Sequence, residues 1–435
     1  MTFDKSRSMA QRFHALIPGG AHTYAKGDDQ YPSSCPRYID RGLGCHVWDV
    51  DGNEFIEYGM GLRAVTLGHA YAPVVEAAHR AMLRGANFVR PARIELECAE
   101  ELLSLIEGAE MVKFAKNGSD VNDAAIRLSR AYTGRDLVAV CSDHPFFSVS
   151  DWFIGTTAMA AGIPSTIQAL TRKFRYNDIE SLRRLFAEEP ARIACVILEP
   201  EKETPPKNDF LHEAQKLCRE NGTVFILDEM ITGFRWHNGG AQRFHNVVPD
   251  LSTFGKALGN GFSVSALAGK KEIMRLGGLD HERERVFLLS TTHGAESHGL
   301  AAAMETMRTY KREPVIESLW RQGQRLDQGI RKSVTEHRLE SYFEVMGRPC
   351  CLVYATRDET KQASQVFRTL FLQETTKRGI LAPSLVVSYA HTDADIDRTV
   401  EAIHEALGIY RRALDEGVSK FMIGPPVKTV YRQYN

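Results

Sequence analysis

The sequence predicts an α/β fold with a mostly parallel central sheet covered by helices on both faces. Two observations carry this. Between about residues 72 and 310, short apolar runs alternate with segments of helical period. The runs at 137–141, 192–198, 223–227 and 286–289 are apolar almost throughout rather than alternating, as strands buried on both faces must be. At 435 residues the chain is too long for one simple domain, and no Pro- or Gly-rich linker divides it. Packed lobes are expected: an N-terminal segment (1–70), a large domain (71–310) and a C-terminal domain (311–435).

The elements follow in order. Val47–Val50 and Glu54–Tyr58 flank Asp51-Gly52-Asn53, a hairpin signal. Asp49, Asp51 and Asn53 mimic the opening of a calcium loop, but Gly falls at the wrong place and Met60 stands where a carboxylate is needed. A strand at 111–116 runs into Asn117-Gly118-Ser119-Asp120. The helix after it places Val121, Ala125, Leu128 and Tyr132 on one face and stops at Thr133-Gly134. Beyond residue 311, long helices mix with strands near 343–354 and 384–390. Ile396, Val400, Ile403 and Leu407 form one apolar helical stripe, so Asp393, Asp395 and Asp397 read as its cap and solvated face.

Charged residues make up 25% of the chain and the net charge is −1, so no basic surplus points to nucleic acid. No apolar stretch reaches the ~18 residues of a membrane span. The start, Met1-Thr2-Phe3-Asp4-Lys5, lacks the apolar core of a signal peptide. Eight scattered cysteines without a C-x-x-C fit a reduced, cytoplasmic protein. His237, His245, His281, His293 and His298 lack ligand spacing, so no metal is expected.

Chemistry concentrates in a few places. Asp228 ends the run Thr223-Val224-Phe225-Ile226-Leu227 and precedes Glu229-Met230-Ile231-Thr232-Gly233-Phe234-Arg235. Lys256 closes Ser252-Thr253-Phe254-Gly255 and is followed by Ala257-Leu258-Gly259-Asn260-Gly261. Alone, the first would read as a turn former and the second as a surface lysine. The Asn117–Asp120 loop opening a helix is a ready anion site through its free N–H groups and positive dipole end, unless it is an ordinary N-cap.

Together these segments resemble the pyridoxal-phosphate site of class III (fold type I) aminotransferases, and within them the glutamate-1-semialdehyde aminomutase group. The resemblance extends from Ile17-Pro18-Gly19-Gly20 through Leu67-Gly68-His69 and Leu198-Glu199-Pro200 to Ala382-Pro383-Ser384 and Ala390-His391. It implies a fold type I PLP-transferase with a small α+β domain built from both chain ends. Lys256 would be the Schiff-base lysine and proton carrier, and Asp228 the partner of the cofactor's ring nitrogen. Asn117, Gly118 and Ser119 would cradle the phosphate, provided Asp120 points away; Met230 would line the ring. Phe146, aligned through Asp151-Trp152, would stack on the ring, with Phe147 close behind. Thr292, or Thr291, would reach the phosphate of a second subunit, which implies a homodimer with shared sites.

The chain departs from the aminomutase pattern at the substrate end. Lys26 replaces an arginine for the substrate carboxylate; Leu62-Arg63-Ala64-Val65-Thr66 lacks the tryptophan; residues 385–389 carry no gating glutamate. Arg63 and Lys26 are therefore the candidate groups for a donor carboxylate, Arg63 by its bidentate fork. The expected activity is an aminotransferase taking the amino group of an amino acid, glutamate first, to a ketone or aldehyde. An aminomutase is the alternative, then a decarboxylase or racemase on the same scaffold, and more distantly a non-catalytic PLP-binding protein.

Overall fold

The computed structural model describes every residue except Pro145 and Asn435. The chain forms two compact units, Ala72–Ile316 and the combination of Met1–Tyr71 with Glu317–Asn435.

In Ala72–Ile316 a seven-stranded sheet contains Met111–Ala115 (β4), Leu137–Cys141 (β5), Thr171–Phe174 (β6), Ile193–Leu198 (β7), Val224–Asp228 (β8), Leu251–Phe254 (β9) and Ser265–Gly269 (β10), in the order β4-β10-β9-β8-β7-β5-β6. The pairs among β5 to β9 are parallel, and β10 runs antiparallel to both neighbours. The two faces bury alternate residues. Val138, Val140, Ile197 and Ile226 pack with Val121, Ala125 and Leu128 of the helix Gly118–Thr133. Leu137, Ala139, Val196, Leu198 and Phe225 pack with Leu182, Leu185 and Leu217 from helices on the other side. Period-two burial into two layers makes the strands apolar at nearly every position. The helix Gly118–Thr133 ends at Gly134, whose φ of 68° is the left-handed cap that glycine takes without strain.

The expected strand at 286–289 does not form. Val286 and Leu288 are buried while Phe287 is exposed, so the run is not buried on both faces as expected. The carbonyls of Phe287 and Leu288 accept from Arg127 Nη1 rather than from a neighbouring strand.

In the other unit, Ile39–Leu43 (β1), His46–Asp49 (β2), Glu54–Glu57 (β3) and Ile380–Leu381 (β13) form one sheet in the order β1-β2-β3-β13. The two chain ends thus share a sheet, as the fold type implies. The hairpin pairs Val47 with Phe55, and Asp49 Oδ1 accepts from the N–H groups of Asp51 and Asn53 across its turn. Phe343–Met346 (β11) and Val353–Thr356 (β12) pair separately. Residues 384–390 are not a strand: one bridge joins Leu385 to Leu352, and Val386 and Tyr389 donate their N–H to the carbonyls of Tyr58 and Thr66. Ile396, Ile403 and Leu407 of the helix Asp393–Glu416 are buried, and Thr392 with Asp395 forms its capping box. Among the described residues no helix is long and apolar enough to cross a membrane.

Candidate active site

Because β10 runs opposite to both β4 and β9, those two strands share one direction, and the carboxyl ends of β4, β5, β8 and β9 lie along one edge. From that edge leave the loops bearing Asn117–Asp120, Phe146, Asp228–Met230 and Lys256. Open α/β sheets bind ligands outside such an edge.

Asp228 is the last residue of β8 and is 2% exposed. Its Oδ1 accepts from Met230 N at 2.9 Å and its Oδ2 from Asn122 Nδ2 at 2.8 Å. Burial pushes its carboxyl upward, against the opposing pull of the Lys256 ammonium and these two donors. Lys256 follows β9 with φ of 43°, a left-handed conformation at the start of a 3-10 turn, and is half-buried. Met230 holds the loops together. A Cβ on Gly118 would lie 2.9 Å from its sulfur, and one on Gly255 2.7 Å, so both glycines are needed for this packing.

Asn117 is the N-cap of its helix, accepting from Asp120 N at 3.1 Å, while its Nδ2 holds the Asp120 carboxylate at 2.9 Å. Asp120 is thereby tied to the cap. Ser119 is buried, and its Oγ accepts from Val149 N. Phe146 and Phe147 both stand edge-on to Phe153, Phe147 buried and Phe146 46% exposed. Thr292 is exposed, and its carbonyl accepts from Asn87.

Two roles were not read from the sequence. Asn122 Nδ2 bridges Asp228 and the carbonyl of Phe147, at 2.8 and 2.6 Å. The only sequence signal was a polar residue amid the apolar face of that helix. Glu229 faces away from Asp228: its carboxylate accepts from the N–H groups of Ala241 and Gln242 and from Thr232 Oγ1. Burial raises it to about 7.

The substrate-end candidates belong to the other unit. Lys26 and Arg63 line one cavity of about 800 Å³ together with Pro383 and Ser384. Arg63 ends a left-handed turn, since Met60, Gly61, Leu62 and Arg63 all have positive φ (42, 59, 59 and 69°). Each non-glycine residue there costs roughly 1–2 kcal/mol. Ser384 Oγ and Val386 N donate to the Tyr58 carbonyl, and Tyr389 N to that of Thr66, so residues 385–389 lie along the Arg63 loop. Two of the places where the chain departs from the aminomutase pattern, Lys26 and Arg63, therefore share a cavity, and the third runs beside the Arg63 loop. Elsewhere in this unit Cys45, His46 and Asp395 cluster, with His46 between Asp395 (3.2 Å) and Glu54 (2.8 Å). Asp395 there also serves as the capping residue of its helix.

The profile of the family Aminotransferase class-III matches residues 28–407, and the chain belongs to that family. It is 33% identical to a glutamate-1-semialdehyde 2,1-aminomutase of Acetivibrio thermocellus, over 93% of this chain and 97% of that one. It is 30% identical to the enzyme of the same name from Alkaliphilus metalliredigens, over 94% and 97%. Among solved structures, the internal-aldimine form of the FumI protein of Sphingopyxis sp. MTA144 superposes with a TM-score of 0.86 at 26% identity, covering 95% of this chain and 98% of that one.

Proposed function

We propose that the protein is a pyridoxal-phosphate-dependent aminotransferase that takes the amino group of glutamate to a ketone or aldehyde acceptor. The observation that carries this is the buried Asp228 carboxylate within the field of Lys256, at the carboxyl edge of a fold type I sheet. The residues fit the cofactor. Asp228 has two N–H donors and a buried position suited to a cationic ring nitrogen, and the Asn117–Ser119 turn offers helix N–H groups to a phosphate. When bound, pyridoxal phosphate supplies an electron sink for a substrate carbanion. Asp228 would hold the proton on the ring nitrogen, and Asn122 would hold Asp228. Nζ of Lys256 would carry the proton between the substrate carbon and C4′ of the cofactor. Phe146 would cover one ring face and Met230 the base of the loops.

The names of the relatives favour a second reading, an aminomutase that shifts the amino group within one molecule. Against it stand Lys26, Arg63 and the acid-free segment 385–389. Incubation with glutamate and a carbonyl acceptor separates the two: release of 2-oxoglutarate supports the transferase, and 5-aminolevulinate formed from the semialdehyde alone supports the mutase. Borohydride reduction followed by peptide mapping should place the pyridoxyl group on Lys256; any other lysine refutes the assignment.

A homodimer with shared sites, Thr292 reaching the partner's phosphate, belongs to the same proposal. An active, cofactor-loaded monomer in sedimentation would refute it.

A further inference from the structure

The cavity that contains Arg63 and Lys26 is large and positively charged. Its volume of about 800 Å³ is far more than one glutamate fills, and sits high in the roughly 300–1,000 Å³ range that encloses drug-sized ligands. Five Lys and Arg residues line it, Lys26, Arg37, Arg63, Arg368 and Lys428, against two acids, Asp28 and Glu57, a surplus of three positive charges. Asp28 already pairs with Arg37, and Glu57 with His69 at 2.7 Å. Both acids therefore have partners of their own within the lining. Glutamate, with two carboxylates, one ammonium and a net charge of −1, leaves much of this volume and charge unmatched. Arginine forks and lysine ammonium groups on several sides of one cavity suit phosphoryl oxygens.

We propose that this cavity binds a phosphorylated acceptor, a keto or aldehyde sugar carrying a phosphate ester or a nucleoside diphosphate. This rests on the aminotransferase reading for the word acceptor, but binding is measured without turnover. Calorimetric titration of the cofactor-loaded protein with ribose 5-phosphate, uridine diphosphate and 2-oxoglutarate is the test. A phosphorylated probe should bind more tightly than 2-oxoglutarate and weaken with salt, and whichever of the two binds tighter identifies the source of the phosphate. Lys428→Glu and Lys26→Glu should each weaken it by about tenfold or more, one charge-assisted contact. Cofactor bleaching by glutamate in the same preparation reports the donor reaction separately. Bleaching without binding of either phosphorylated probe overturns this proposal and spares the aminotransferase. Binding without bleaching spares the cavity assignment and counts against the glutamate reaction.

Discussion

Asn122 donates its side-chain amide to Asp228 at 2.8 Å from the first turns of the helix whose N-terminus forms the anion loop. The same amide holds the Phe147 carbonyl, so one residue couples the carboxylate to the aromatic loop. Asn122→Ala should leave buried Asp228 with a single donor, from Met230 N. Loss of such a bond costs about 1–3 kcal/mol. The expected outcome is weaker cofactor affinity and a lower kcat, with the protein still folded. Unchanged cofactor affinity would show that Asp228 is positioned without it.

Asp228→Asn removes the negative charge and turns one amide donor toward groups that are themselves donors, Met230 N or Asn122 Nδ2. A rate loss of about three orders of magnitude is expected, which corresponds to roughly 4 kcal/mol. Glu229 cannot substitute, because its carboxylate is engaged by Ala241, Gln242 and Thr232. Single-turnover rates with glutamate measure this, and a near-normal rate would remove Asp228 from the mechanism.

How much of this was legible in the sequence depended on range. Strands β5, β7 and β8 could be read because every position is buried, which leaves an unbroken apolar run. Strand β10 could not: Ser265-Ala266-Leu267-Ala268-Gly269 consists mostly of small residues without β-branching, packed where Gly269 comes within contact of Leu251 and Asp250. The segment at 286–289 read as a strand from its unbroken apolar run, yet Arg127 satisfies its carbonyls, and no local pattern foretells a side chain 160 positions away. Asp228 and Lys256 were legible as motifs, whereas the Asn122 bridge spans 106 positions and needs the folded chain. Likewise Lys26, Arg63 and residues 385–389 stood out singly as departures, but the sharing of one cavity by Lys26 and Arg63, and the run of 385–389 beside the Arg63 loop, are tertiary.

Acid stability should carry the signature of two buried histidines. His144 accepts from Glu199 N through Nδ1, and burial, with Lys202 nearby, lowers it to about 3. Burial likewise lowers His391 to about 4. A histidine whose folded pKa is depressed adds stability above its unfolded value of about 6.5, and that stability is lost as pH falls toward the folded value. Glu229 acts oppositely, since its raised value of about 7 favours the folded state as pH falls toward about 4.5. Between about pH 6.5 and 4.5 these groups leave the unfolded state one proton ahead. His144→Asn keeps an acceptor for Glu199 N and should flatten the pH slope of unfolding free energy by about 1.4 kcal/mol per unit relative to the parent. Denaturant titrations at saturating cofactor across that window give the slope, and parallel slopes for parent and variant would contradict a neutral buried His144.

The left-handed turn at Met60–Arg63 frames the last prediction. Strain of this kind persists where surrounding structure imposes it, and it gathers at functional sites. Here it presents Arg63 to the cavity, beside the segment 385–389 that lacks an acid. If Arg63 receives the donor carboxylate, Arg63→Ala should raise the KM for glutamate by about tenfold or more and leave the cofactor spectrum unchanged. Lys26→Ala should do less, because an ammonium lacks the bidentate fork. Leu62→Gly separates strain from contact. In an exposed helix interior, glycine in place of leucine costs about 1 kcal/mol, but at φ of 59° the relief of left-handed strain should offset that. Leu62→Gly is therefore expected to be no less stable than the parent, with a raised glutamate KM as Arg63 loses its fixed direction. A stability loss near that of a helical site would show the turn to be unstrained, and equal small effects of Arg63→Ala on donor and acceptor KM would reduce Arg63 to a structural residue.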